Sequence, residues 1–269
     1  MSLFDRAESL LLAFIDWIHA QLPPAGPDPR RLRSCRIISH RGEHDNLRVF
    51  ENTLSAFDAA VEQGVWGIEF DLRWTRDLEA VVIHDPDLRR VFGQSQKVGD
   101  SRLQDLRRQC PQVPTLAEVI DRYGGKVHLM VEVKQEPYAD PGRQNRILGD
   151  LFAALRPGED FHLLSLAPKM FRLTPFAPPS ACVPVARLNF PQLSRLALRE
   201  GYGGIAGHFM VVGGGAVRRH HAAGQQVGTG YPRSLRVLVR ELNRGVDWIF
   251  SNHAGEIQRL IRRLQLSGG

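Results

Sequence analysis

The chain has 269 residues, 43% hydrophobic and 24% charged. This is ample material for a buried core and excludes a disordered or fibrous protein, and the length suits either two small domains or one α/β barrel of roughly 250 residues. The 35 Lys and Arg against 29 Asp and Glu leave a net charge of +6, which favours anionic ligands. The basic residues fall in scattered pairs, Arg89-Arg90, Arg107-Arg108 and Arg262-Arg263, which read as solvated helix faces and not as a nucleic-acid track.

No apolar run reaches the roughly 18 residues of a membrane span, and the best stretch, Leu10 to Ile18, is broken by Asp16. Asp5 and Glu8 stand where a signal peptide needs positive charge, so this stretch is expected to stay in the mature protein. Cys35, Cys110 and Cys182 are odd in number and far apart, which offers neither a disulfide framework nor a zinc knuckle and fits a reducing, cytoplasmic setting.

Leu3, Ala7, Leu10, Leu11, Phe14, Ile18 and Leu22 recur with a helical period, predicting an amphipathic N-terminal helix over residues 1–22. Its polar face is not strongly basic, so packing on the body or on a second subunit is expected in preference to membrane contact. Pro23-Pro24 ends it, and the Pro-, Gly- and Arg-rich stretch to Arg33 reads as a linker, giving a segment 1–33 ahead of a barrel domain 34–269.

Beyond Cys35, short apolar runs alternate with helical patterns. Strands are predicted at 36–39, 66–72 with an extension at 80–83, 127–133 and 161–164, with weaker ones at 182–186, 204–207 and 226–228 and a clearer one at 246–250. Helices are predicted at 53–63, 116–123, 144–155, 192–199, 216–223, 235–243 and 255–265. Eight strand positions alternating with helices predict a closed (β/α)8 TIM barrel.

The chemistry collects on alternate faces. In strand 127–133, Val127, Leu129, Val131 and Val133 should meet the helices, so His128, Met130, Glu132 and Lys134 point into the barrel. In strand 66–72 the helix-facing set is Trp66, Ile68, Phe70 and Leu72, and Glu69, Asp71 and Arg73 point inward. Glu69, Asp71 and Glu132 then supply three hard oxygen ligands at the C-terminal mouth, suited to Mg²⁺ or Ca²⁺; the plainer alternative is a set of buried salt bridges with Arg73, Arg41 or Lys134. His40 and His84 reach the same rim as a general acid and base pair, and Arg41 has the planar shape that suits a phosphate. Together these residues describe a phosphoester site. Elsewhere His128 reads as core, His208 as able to reach the rim, His220 and His221 as solvent-facing, and Gly213-Gly214-Gly215 as a turn or an anion cradle.

These residues resemble the glycerophosphodiester phosphodiesterase family. The resemblance rests on His40-Arg41-Gly42, Glu51-Asn52-Thr53 with Ala56-Phe57, Gly67-Ile68-Glu69-Phe70-Asp71 with Thr75-Arg76-Asp77, Val82-Ile83-His84-Asp85, Pro114-Thr115-Leu116, Glu132-Val133-Lys134 and Gly245-Val246-Asp247-Trp248-Ile249. It covers 36–134 densely and the rest thinly. It implies a (β/α)8 barrel that uses a divalent cation to hydrolyse small-molecule glycerophosphodiesters to glycerol 3-phosphate and an alcohol. It further implies Glu69, Asp71 and Glu132 as metal ligands, His40 and His84 as acid and base, and Arg41 and Lys134 as phosphate-binding; Glu51 falls at the family's glutamate beside the first motif, and we expect it to support Arg41. It favours internal attack by the neighbouring glycerol hydroxyl over direct attack by water. The sequence departs from the family at Phe50 in place of proline, in a slightly long loop 43–50, at Gly228-Thr229-Gly230-Tyr231 where a tryptophan-containing run is expected, at Ser251-Asn252, and in a short segment between Asp85 and Pro114. These changes touch the pocket, so substrate identity stays open. The competing readings are a lysophospholipase D-like phosphodiesterase acting on membrane lipids and a catalytically silent barrel used as a binding protein. A homo-oligomer is compatible with all three.

Overall fold

The computed structural model describes residues 26–232 and 234–267. The amphipathic helix expected over 1–22 lies outside the described residues. The described chain runs α1 (Pro29–Ser34), β1 (Arg36–His40), α2 (Leu54–Glu62), β2 (Gly67–Trp74), β3 (Ala80–Val82), α3 (Arg89–Phe92), α4 (Leu103–Gln109), α5 (Leu116–Tyr123), β4 (His128–Val133), α6 (Pro141–Phe152), β5 (Phe161–Ser165), β6 (Cys182–Ala186), α7 (Phe190–Glu200), β7 (Gly204–His208), α8 (Gly214–Ala222), β8 (Gln226–Gly230), α9 (Leu235–Arg244), β9 (Trp248–Ser251) and α10 (Ala254–Ser267).

Eight of these strands are parallel neighbours in the order β1-β9-β8-β7-β6-β5-β4-β2, and β1 pairs with β2 to close the ring. The fold is a (β/α)8 barrel. The apolar extension of the second strand is the separate β3, which turns back antiparallel, with Leu72 opposite Val82. Between β5 and β6 the crossover consists of two 3₁₀ turns, Pro168–Leu173 and Pro179–Ala181, where the Pro-rich sequence forbids a regular helix. Residues 85–114 carry α3 and α4 over their own apolar cluster of Val81, Ile83, Leu88, Val98, Leu106, Cys110 and Val113.

The linker expected up to Arg33 ends earlier, because Pro29–Ser34 is a helix. Asp28 caps it, its carboxylate accepting from the Arg30 amide at 2.8 Å, and Pro29 sits in its first turn. Leu32 is buried, and the helix is tied to α9 by Asp28 N donating to Asn243 Oδ1 at 2.8 Å and to α10 by Gln265 Nε2 donating to the Leu32 carbonyl at 3.1 Å.

Two cores share the strands. Ile68, Phe70, Leu72, Leu129, Val131 and Val133 pack outward against the helices, as the alternation requires. Ile38, Met130, Leu164, Val183, Ala206, Trp248 and Phe250 fill the barrel. Trp66, expected to face the helices, precedes the strand proper and packs against the inner cluster, its ring stacked on His128 at 4.2 Å. Trp248 and Phe250 are so large that the facing strands must be small: a Cβ on Gly228 would sit 2.8 Å from Phe250 Cε2.

Several histidines are structural. His128 is core, as expected, its Nδ1 donating to the Glu159 carbonyl at 2.8 Å and its Nε2 lying 2.8 Å from His162 Nδ1. His220 is not solvent-facing: it is fully buried between Ser194 Oγ at 2.8 Å and Gln225 Oε1 at 2.6 Å, and only its neighbour His221 is partly exposed, bound to Asp247 at 2.8 Å.

Candidate active site at the mouth of the barrel

Register decides which side chains meet. His40 on β1 lies opposite Glu69 on β2, and Asp71 on β2 lies opposite Glu132 on β4, all at the C-terminal ends of their strands. One oxygen from each of Glu69, Asp71 and Glu132 falls within 4.8 Å of the other two. Glu69 and Asp71 are buried, whereas the Glu132 side chain keeps 12% of its surface exposed.

Three carboxylates this close need positive charge. Lys134 Nζ lies 2.6 Å from Asp71 Oδ1 and 2.7 Å from Glu132 Oε1, and Arg41 Nε lies 3.2 Å from Asp71 Oδ2. Asn52 Nδ2 also donates to Asp71 Oδ2 at 2.8 Å. Burial opposes charge on Asp71, yet Lys134 and Arg41 hold its carboxyl well below the usual carboxylate range. Burial likewise opposes charge on Lys134, but Asp71 and Glu132 keep the ammonium above its ordinary value. Glu69 goes the other way: burial, then the charges of Asp71 and Glu132, push its carboxyl well up.

Glu69 is therefore the carboxylate that the protein's own cations do not satisfy. Its Oε2 is buried and has no hydrogen-bond partner among the described residues. Three hard oxygen donors, one of them orphaned and disfavoured as an anion, fit a divalent cation of the Mg²⁺ or Ca²⁺ type. The salt bridges weighed as the alternative are present too, through Lys134 and Arg41, but they leave Glu69 over. Arg73, considered as a partner of the cluster, pairs instead with Glu136 at 2.6 Å.

Arg41 itself is held in an uncommon backbone conformation, φ 62°. The next residue must be glycine, because Gly42 has φ 80° and a Cβ there would meet Ala56 Cβ at 2.6 Å. Glu51 anchors the guanidinium, with Arg41 NH1 donating to its Oε1 at 2.9 Å, so the support expected from Glu51 is a direct ion pair. Loop 43–50 is organised to present it: Asp45 Oδ1 accepts the amides of Leu47, Arg48 and Val49, and Asn46 Nδ2 donates to Glu51 Oε2 at 2.8 Å.

The two histidines are held by different partners. His40 Nδ1 donates to Asn252 Oδ1 at 2.6 Å, which aims Nε2 at the carboxylates, 3.7 Å from Glu69 Oε2. Burial, reinforced by Arg41, lowers its pKa to about 3, so the ring rests neutral. His84 Nδ1 lies 2.6 Å from Asp85 Oδ1, and the Arg73 guanidinium fixes the His84 backbone by donating to its carbonyl at 2.8 Å. Arg90 NH2 bonds Glu51 at 2.6 Å and Arg90 Nε bonds Asp85 at 2.5 Å, linking the Arg41 and His84 supports. Arg89 and Arg90 lie exposed on α3, as read from the sequence, and Arg90 in addition makes these two ion pairs.

A cavity of about 240 Å³ opens at this mouth, lined by His40, Arg41, Glu69, His84, Glu132 and Lys134 on one side and by Leu166, Arg187, His208 and Tyr231 on the other. Asp71 lies behind the wall, holding Arg41 and Lys134. Tyr231 packs edge-on to His40 at 5.0 Å and supplies the aromatic wall that the altered run 228–231 put in question. The sequence reading missed the roles of Asn252, Asp85, Arg90 and Asn52; Asn52 and Asp85 stand inside the quoted motifs, while Arg90 has no local pattern to mark it. A larger groove, about 490 Å³, lies outside the barrel beside the 3₁₀ turns and α7 and contains none of these residues.

The fold and the mouth together define a barrel protein with three clustered carboxylates flanked by two histidines, an arginine and a lysine. Residues 40–150 match the Glycerophosphoryl diester phosphodiesterase family. YhdW of Bacillus subtilis, which carries a provisional glycerophosphodiester phosphodiesterase designation, is 37% identical over 112 residues, 38% of this chain and 45% of its own. Among solved structures, a provisionally assigned glycerophosphoryl diester phosphodiesterase from Silicibacter pomeroyi superposes with a TM-score of 0.73 at 21% identity, covering 86% of this chain and 94% of the other. An Oleispira antarctica phosphodiesterase, solved with the product sn-glycerol-3-phosphate, has a TM-score of 0.68 at 23% identity, covering 84% and 96%. At these identities the structures speak for the fold. The matched regions reach about half the length of the curated relatives.

Proposed function

We propose that this protein hydrolyses glycerophosphodiesters to glycerol 3-phosphate and an alcohol, with a divalent cation held by Glu69, Asp71 and Glu132. The observation that carries the reading is the convergence of the three carboxylates, His40, His84, Arg41 and Lys134 on one cavity mouth. The match of residues 40–150 to the Glycerophosphoryl diester phosphodiesterase family supports it. The cation would supply Lewis acidity and neutralise charge building on the phosphate.

The chain's own residues account for the rest. Arg41, fixed by Glu51 and Asp71, offers its planar guanidinium to phosphate oxygens. Lys134 supplies a point charge from the adjacent strand end. His40, neutral and oriented by Asn252, accepts the proton of the attacking hydroxyl at Nε2. His84, oriented by Asp85, donates a proton to the departing alcohol oxygen. The same transfers serve attack by the neighbouring glycerol hydroxyl, followed by water opening the ring, and direct attack by water. We favour the internal route, which gains the effective molarity of a tethered group. A deoxy analogue lacking that hydroxyl should then be inert, and ready turnover of it would favour water.

The experiment that tests the reading is release of glycerol 3-phosphate from a panel of glycerophosphodiesters with and without chelator. Activity that is lost on chelation, restored by Mg²⁺ or Ca²⁺ and absent from a folded Glu132→Gln variant is expected. Full activity after exhaustive chelation would overturn the metal assignment, and no turnover of any diester would overturn the enzyme reading. Lysophospholipids belong in the same panel, because Leu166 lines the cavity and Leu47, Leu188 and Met210 are exposed on loops at the same end of the barrel.

A further inference from the structure

The cavity has two electrostatically distinct walls. On the wall built from β1, β2 and β4, every cation is matched: Arg41 pairs with Glu51 and Asp71, and Lys134 pairs with Asp71 and Glu132. The opposite wall comes from the ends of β5 to β8 and presents Leu166, Arg187, His208 and Tyr231. Among the described residues its cation is Arg187, which follows β6 directly and there forms no ion pair.

The acids are arranged the opposite way. The carboxylates that line the cavity are Glu69 and Glu132, and both belong to the ligand cluster on the first wall. Among the described residues the second wall contributes none. His208 Nδ1 accepts the Met210 amide at 3.3 Å, so the ring adds no anion to this side. An alcohol arm ending in a quaternary or primary ammonium would therefore meet a guanidinium, with no carboxylate among the described lining residues of that wall to receive it. An arm ending in a phosphate or carboxylate would meet complementary charge in a geometry that guanidinium serves well.

We infer that Arg187 is a specificity residue that selects diesters whose alcohol arm is anionic over those whose arm is cationic. This rests on the phosphodiesterase reading above. Glycerol is uncharged, so among diesters that differ only in the alcohol, a charge can reach Arg187 through the alcohol arm alone. The selection is one of affinity and encounter, and it should weaken as salt screens the exposed guanidinium.

The test compares kcat/KM, with the activating cation present and at low ionic strength, for three substrates: glycerophosphocholine, glycerophosphoglycerol and a glycerophosphodiester whose alcohol carries a second phosphate. The doubly anionic diester should exceed the choline diester by about tenfold or more, as one partly solvated charge pair allows. Arg187→Gln should bring the ratio close to unity, Arg187→Glu should invert it, and added salt should compress it. A choline diester turned over as well as or better than the anionic one, or a ratio that Arg187→Gln does not move, would overturn the assignment while leaving the phosphodiesterase reading intact. Absence of turnover with all three would overturn both.

Discussion

At the scale of single residues, the site shows how far identical side chains are differentiated by their partners. His40 sits against an amide and His84 against a carboxylate, and both are locked so that one ring nitrogen faces the cavity. General acid and base steps contribute roughly 10²–10⁴ each. His40→Ala and His84→Ala should therefore each lower kcat by about that factor on an unactivated diester, with KM changed far less. Measured steady-state rates within a few-fold of the parent for both variants would remove the histidines from the mechanism. Glu69, Asp71 and Glu132 are likewise three carboxylates in three settings: Asp71 is held as an anion by Lys134 and Arg41, Glu132 shares Lys134 at the rim, and Glu69 Oε2 has no hydrogen-bond partner among the described residues.

At the scale of elements, α1 shows what composition conceals. The stretch before β1 is rich in Pro and Arg and reads as a linker, but Asp28-Pro29 is a helix start and Leu32 is a buried anchor between α9 and α10. Truncating a buried leucine costs about 2–5 kcal/mol where the surroundings cannot collapse. Leu32→Ala should lower the unfolding free energy of the whole barrel by an amount in that range, read by urea denaturation. A change below about 0.5 kcal/mol, the size of an ordinary surface substitution, would return α1 to the status of a linker.

For the whole molecule, the inner floor of the barrel sets a pH dependence. His128 and His162 share a hydrogen bond in which His128 Nε2 must accept, because its Nδ1 already donates to the Glu159 carbonyl. Burial is the main reason that both rest well below the ordinary histidine range, at about 4 for His128 and about 3 for His162. The unfolded chain takes up these protons near pH 6.5, so it binds more protons than the native state between there and about pH 4. The stability due to this pair is therefore fully present above pH 6.5 and declines as the pH falls towards 4 and 3. Unfolding free energies measured from pH 7 to 4 should fall, and the slope should flatten in a His162→Phe variant; an unchanged slope would assign the acid sensitivity to other groups.

What the sequence determined by itself was whatever repeats locally. Alternation along each strand separates helix-facing apolar residues from inward-facing charged ones, which places Glu69, Asp71, Glu132 and Lys134 on one barrel face and His40, Arg41 and His84 at its rim. The seven motif matches extended that reading to a family. What only the tertiary structure decided were contacts between residues far apart in the chain, which no periodicity encodes. These include Asn252 on His40, Arg90 bridging Glu51 and Asp85, the burial of His220 of α8 against Ser194 of α7, and Arg187 lining the same cavity as the carboxylates. The later strands were faint in the sequence for a physical reason as well. Trp248 and Phe250 occupy so much of the barrel that β7 and β8 must offer glycine and alanine opposite them, and such strands lose the alternation by which a strand is recognised.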